Sequence, residues 1–149
     1  MASYENNLIK KIRHRVGGGV GITVVPIKNK TSLLKLSATA FFDRTIYDAS
    51  PIEGSHTNSR IVDTARPAAR IFGWHLLNQS ANFFYEFIDQ MSVSKAGSHR
   101  LIGAAGFNYR YSKIVDLISR LNYTHEDLTA DGVKADDWFL TFGISLHYK

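Results

Sequence analysis

Apolar side chains recur at every second position through most of this chain, and a period of two admits strands with two unlike faces rather than helices. In the final stretch Trp138, Leu140, Phe142, Ile144, Leu146 and Tyr148 fall on one side. Asp137, Thr141, Gly143, Ser145 and His147 fall on the other, and only Phe139 breaks the order. The same alternation sets Leu34, Leu36, Ala38, Ala40 and Phe42 against Lys35, Ser37, Thr39 and Asp43, and it recurs in Phe83 to Val93, Leu101 to Tyr111 and Leu117 to Tyr123. Two further strands are less regular. In Val16 to Val24, Gly17, Gly19, Gly21 and Thr23 oppose Val16, Val20, Ile22 and Val24, preceded in the glycine phase by Lys11, Arg13 and Arg15. In Ala68 to Leu76, Arg66 and Arg70 share the phase of Phe72, Trp74 and Leu76, and Asp89 is a similar misfit in its own strand that requires a bulge or a rim position.

This pattern predicts seven antiparallel strands in one all-β domain over residues 1–149, a length that leaves no room for a second core. The next question is which solvent the apolar face meets. The longest stretch free of Asp, Glu, Lys and Arg, Ile71 to Tyr85, falls short of the ~20 apolar residues a membrane helix needs. A transmembrane barrel escapes that limit, because its strands need only about 9 to 11 residues and are half polar. Short connections (Pro26 to Thr31, Leu77 to Ser80, Ser112 to Val115) alternate with mostly longer ones rich in Gly, Ser, Asn and Asp (Asp48 to Ser59, Lys95 to His99, Glu126 to Asp136). Outer-membrane barrels have that asymmetry, and they place aromatic girdles where Phe42, Trp74, Tyr109, Tyr111, Tyr123, Trp138 and Tyr148 fall near strand ends. The expectation is an up-and-down transmembrane β-barrel in a bacterial outer membrane, and the alternative is a soluble β-barrel that binds a small ligand. Lys10, Lys11, Arg13 and Arg15 stand where a signal peptide needs its apolar core, so none is expected in this stretch.

Thr141, Gly143, Leu146 and Tyr148 resemble the terminal-strand signal read by the outer-membrane assembly machinery, although Lys149 follows where that signal usually ends on an aromatic. The runs Ile12 to Gly21, Arg66 to Trp74, Phe83 to Phe87, Arg100 to Tyr111 and Leu121 to Tyr148 resemble an uncharacterised barrel family, the salt-induced outer-membrane proteins. Gly103-Ala104-Ala105-Gly106-Phe107-Asn108-Tyr109 and Phe142-Gly143-Ile144-Ser145-Leu146-His147-Tyr148 carry the resemblance best. It implies an outer-membrane barrel with no accepted catalytic residues. Its members are usually longer, with extra strands before the region matching Ile12.

Little in the chain suggests chemistry. There is no cysteine, and the six histidines lie 19 to 42 residues apart, outside zinc-site spacing. Gly17, Gly18, Gly19 and Gly21 lack the Gly-Lys-Ser/Thr of a phosphate loop and fit strand curvature or close packing instead. An outer-membrane lipid-modifying enzyme would need a base beside its nucleophile. In Leu121 to His125 the base position holds Asn122, while Thr124 and His125 point to opposite faces. Neither catalysis nor a cofactor is expected.

The polar face is more informative. Lys35, Arg110 and Arg120 share the inward phase with Asp43, Glu86 and Asp116, and charges in a narrow lumen are expected to pair as a network. Lys11, Arg13 and Arg15, at the longer-loop end, are expected to meet lipopolysaccharide phosphates or another anion, in keeping with 18 Lys and Arg against 13 Asp and Glu. The basic residues are too dispersed for a nucleic-acid patch. Seven is an odd number for a single-chain bacterial barrel. Either Ser3 to Ile9 supply part of another strand, or N-terminal strands are missing, or copies combine as a homo-oligomer.

Overall fold

In a computed structural model the chain is described over residues 2–8, 10–48, 61–93, 98–127, 129 and 132–146. Eight strands succeed one another: β1 (Ala2–Asn7), β2 (Ile12–Lys28), β3 (Ser32–Tyr47), β4 (Ile61–Leu76), β5 (Ala81–Met91), β6 (His99–Arg110), β7 (Val115–Glu126) and β8 (Asp136–Leu146). Each pairs antiparallel with its chain neighbour, so one sheet in the order β1 to β8 curls strongly into an open half-barrel. The seven expected strands become eight through β1, whose Ser3, Tyr4 and Glu5 pair with Gly17, Val16 and Arg15. Its sequence, Ala-Ser-Tyr-Glu-Asn-Asn, has no run of alternating apolar residues to reveal it. The sheet does not close on itself: among the described residues the outer edges of β1 and β8 pair with no strand.

The register sorts every strand into the same two faces. The convex face takes Val16, Val20 and Ile22 of β2, Leu34 to Phe42 on alternate positions of β3, and Trp138 to Leu146 on alternate positions of β8. These side chains are open to solvent, with Val20 79% and Phe142 73% exposed. The concave face takes Arg15, Asp43, Thr45, Thr64, Arg66 and Glu126, all buried. The molecule is therefore polar within and apolar without, the reverse of a soluble sandwich.

Two apparent misfits in the sequence are resolved by this sorting. On β4 the pairs Phe41↔Arg66, Ser37↔Arg70, Lys35↔Phe72 and Leu33↔Trp74 put the two arginines and the two aromatics on the concave face together. Trp74 thus leaves the outer girdle to which the sequence assigned it. Asp89 faces outward with no break in register on either side, so no bulge is involved. It sits at the rim, paired with His99.

The turns follow local chemistry. At the short-turn end Asn29 Oδ1 accepts the N–H groups of Thr31 (2.9 Å) and Ser32 (2.7 Å), and Asn78 Oδ1 accepts that of Ser80 (2.8 Å). These side-chain caps replace the ladder partners the backbone loses on reversing. The other end carries the β1–β2 turn, where Lys11 adopts φ 52°, and the longer connections.

Glycines let aromatic rings lie flat across neighbouring strands on the concave side. The Phe41 ring occupies the space a Cβ at Gly17 would need, and the Phe84 ring does the same at Gly106, where a Cβ would also come within 2.8 Å of the Ser119 carbonyl oxygen. Gly143 faces the same concavity with nothing within 4 Å. Gly106→Val should therefore destabilise the protein by roughly 1 to 3 kcal/mol, whereas Gly143→Val should change stability by no more than about 0.5 kcal/mol. Denaturant melts of the two variants measure the contrast, and equal effects would contradict the packing argument.

Candidate functional site

The densest polar feature lies on the concave face at the long-loop end. Glu126, the last residue of β7, is 2% exposed, and its carboxylate receives both ends of the Arg15 guanidinium of β2: Nη2 donates to Oε1 at 2.6 Å and Nη1 to Oε2 at 3.2 Å. β2 and β7 are not neighbours in the sheet, so this fork joins the two flanks of the half-barrel across its hollow. Arg15 also donates through Nη1 to Glu5 Oε2 of β1 (3.1 Å) and through Nε to Thr45 Oγ1 of β3 (2.9 Å).

Three more charges complete the cluster. Asp43 Oδ1 accepts the Thr64 hydroxyl at 2.8 Å and lies 3.5 Å from Arg66 Nε, while Arg66 Nη2 stands 3.9 Å from Glu126. Arg100 of β6 reaches Glu5 at 3.4 Å and Glu126 at 3.9 Å. Three guanidiniums thus face three carboxylates. Burial of this kind is stabilising only while every charge keeps a partner, and removing one partner typically costs far more than a surface pair is worth. Ile12, Tyr47 and Val62 pack as a small apolar core at the same end of the sheet.

The residues expected in a lumen network fall in several places. Asp43 belongs to the cluster. Glu86 accepts Arg70 Nε at 2.6 Å further down the concave face, and Arg110 Nε lies 3.5 Å from Asp116 near the short-turn end. Lys35 sits over the Phe72 ring at 5.9 Å from its centroid. Arg120 sits over Phe84 at 5.8 Å and donates to Asn122 Oδ1 at 2.9 Å. Of the three basic residues expected to meet an anion, Arg13 is exposed, Lys11 is half-buried in its turn and Arg15 is buried in the cluster. Thr141 and Gly143 pair with Arg120 and Ile118 on the concave side of β8, Leu146 pairs with Val115 on the convex side, and Tyr148 lies outside the described residues. Glu126, Arg66, Glu5 and Arg100 were not singled out from sequence. The available signal was Arg66, a charge out of place in the phase of Phe72 and Trp74, which the register shows to be the inward phase of β4.

A second polar ring lies outside, at the rim above the apolar convex belt. There Arg44 grips Asp63 through Nε (2.7 Å) and Nη2 (2.8 Å), and Tyr4 bonds His14 at 3.0 Å. His125, one convex position beyond Tyr123, lies between two carboxylates, with Nδ1 2.9 Å from Asp136 and Nε2 2.9 Å from Asp127. Hydrogen bonds that the imidazole donates to Asp136 and then Asp127 raise the His125 pKa above its ordinary 6.5. Because the folded-state pKa is the higher one, the contribution to stability is complete below the ordinary value and fades as pH rises through the raised value. Among the described residues no group of His, Asp or Glu could hold a metal ion. Asn122 and Thr124 face the hollow while His125 faces outward.

Two measurements test this electrostatic picture. Glu126→Leu should cost roughly 3 to 5 kcal/mol by leaving Arg15 buried without its principal partner. Glu86→Leu should cost under about 1 kcal/mol, since Arg70 and Glu86 are both partly exposed. Chemical denaturation gives the order, and an equal cost would contradict the role given to Glu126. In an NMR titration His125 should hold its proton to higher pH than a free histidine, and Asp136→Asn should lower that midpoint. No downward movement would remove Asp136 as the cause.

A family model described as "Protein of unknown function, DUF481" matches residues 1–149. No curated protein and no solved structure matches the chain.

Proposed function

We propose that this chain, which belongs to the DUF481 family of unknown function, is a bacterial outer-membrane β-barrel protein with a structural or small-solute passage role and neither catalysis nor a cofactor. The observation that supports this reading is the inverted polarity of the sheet. Between the rim and the short-turn end, the convex positions from Leu34 to Phe42, Leu101 to Tyr109 and Trp138 to Leu146 hold no Asp, Glu, Lys or Arg. Each of these belts spans nine residues. Nine residues rise about 26 Å along a strand, and with the usual tilt that suits the apolar layer of a transmembrane barrel. Water would make so large an exposed apolar surface an aggregation hazard, whereas lipid suits it.

The partners follow from the same reading. Lipid covers the belt, the exposed Arg13 and the neighbouring Lys11 meet lipopolysaccharide phosphates at the rim, and the assembly machinery reads β8. The unpaired edges are the remaining demand. β1 covers β2 only as far as Gly18, so among the described residues the β1-facing side of β2 from Val20 to Lys28 and the outer side of β8 pair with no strand. Each unsatisfied backbone group in hydrocarbon costs several kcal/mol, so further strands, from an N-terminal portion or another copy, complete the wall.

The protein should need detergent or vesicles to stay dispersed and should migrate differently on a gel before and after boiling. A detergent-free monomer in solution would overturn the membrane reading in favour of a soluble ligand-binding barrel. Mass measurement in detergent should find an assembly larger than one copy of this chain, and a strictly monomeric, closed eight-stranded barrel would remove the need for added strands.

A further inference from the structure

A cavity of about 270 Å³ lies on the concave face beneath the Glu126 cluster, walled by β1 to β6. Its lining includes three guanidiniums, from Arg15, Arg70 and Arg100, and one carboxylate, from Glu5. Arg15 and Arg100 share the carboxylates of the cluster above, and Arg70, the cation added from below, meets Glu86 through Nε, so the polar wall of the cavity presents mainly guanidinium groups. We propose that this cavity is a binding site for a small organic oxyanion, with Arg70 and Arg100 as its charged ligands.

The three arginines differ in how fully they are engaged. Arg15 already donates to two carboxylates and a hydroxyl within 3.2 Å, and it serves as the ceiling. Arg70 is committed to Glu86 through Nε alone, and its side chain is 41% exposed. Arg100 has only long contacts to carboxylates, at 3.4 and 3.9 Å, and its Nε is buried without a hydrogen-bond partner in the protein. The register places Arg70 beside Ile88, and Ile88 beside Ile102, two positions along β6 from Arg100. The two guanidiniums therefore stem from strands about 10 Å apart, close enough for long side chains to converge on one carboxylate or phosphate group.

The rest of the wall describes the remainder of the ligand. Phe41, Ile88 and Ile102 offer an apolar surface, and Gln90 has a buried Oε1 with no hydrogen-bond partner. A bare ion would leave the apolar wall unused, whereas a short carbon skeleton ending in an oxyanion fills it. The size sits just below the usual range of small-molecule pockets, which favours a ligand with few carbons.

The inference rests on the concave face being a lumen and not on the convex face meeting lipid, so the two readings fail in different assays. Calorimetric titration of the refolded full chain uses succinate and glycerol 3-phosphate as probes, with succinamide, glycerol and inorganic phosphate as comparisons. One of the two organic anions should bind with a Kd of about 1 mM or tighter. Its neutral counterpart should not bind, and inorganic phosphate should be at least tenfold weaker, about one power of ten in affinity. Arg70→Gln, on a partly exposed side chain outside the cluster, should weaken binding at least tenfold while keeping the heat-dependent gel shift; Arg100→Gln should do the same or worse. No binding up to about 10 mM, equal binding of the neutral compounds, phosphate binding as tightly as the organic anion, or unchanged affinity in Arg70→Gln would each overturn the proposal.

Discussion

The fork from Arg15 to Glu126 is the contact on which the shape of this molecule most depends. An antiparallel sheet of eight strands twists by its own chirality, but twist alone leaves its flanks free to splay. Here β2 and β7 are tied across the hollow by two charge-assisted hydrogen bonds, at 2.6 and 3.2 Å. Strands β1, β3, β4 and β6 feed charges or hydroxyls into the same knot through Glu5, Asp43, Thr45, Thr64, Arg66 and Arg100. Such a knot specifies geometry more than it adds stability, because desolvating six charges offsets most of their attraction. Its value lies in penalising any arrangement that separates the flanks, since each separated charge would stay buried without a partner.

The knot also fixes which face can be outside. With charges turned inward, the residues left for the convex side are those that alternate with them, and these are Val, Leu, Ile, Phe and Trp along most strands. Alternation of this strictness makes register all-or-none: a slip of one residue on β3 would turn Asp43 outward and Phe42 inward. The glycine positions of β2 belong to the same design. Gly17 and Gly19 lie inward opposite Asp43 and Phe41, and the space they leave is taken by the Phe41 ring, which lets the sheet curl tightly just below the knot.

Much of this was legible in the sequence, and the failures have physical causes. On β3, β6, β7 and β8 the inward and outward sets read from alternation are those of the structure, because one face is nearly all apolar and the other polar. β4 misled because Phe72 and Trp74 are apolar yet inward; in the hollow Phe72 lies under both Lys35 and Arg70, at 5.9 and 5.7 Å. Hydropathy cannot distinguish an aromatic that faces lipid from one that supports a cation. β1 was open only as one of three ways to mend an odd strand count, through Ser3 to Ile9, because a short polar strand is defined by its partner and not by its own pattern. The cluster itself was only partly visible: Asp43 could be placed by phase, but that Glu126 meets Arg15 across 111 positions of sequence is a property of the curl.

The uneven placing of charge along the hollow bears on what such a lumen can do. At the long-loop end, three arginines and three carboxylates lie together as ion pairs of opposite charge. Toward the short-turn end, Lys35 and Arg120 rest on aromatic rings and, among the described residues, face no carboxylate as an ion pair. An anion entering from the short-turn side would meet rising positive potential and then a neutral, packed barrier. A hollow with that profile concentrates anions without passing them, because conduction needs an exit as well as an attractive entrance. In the barrel proposed above, fixed charges placed this way would suit holding a small anion better than letting one through.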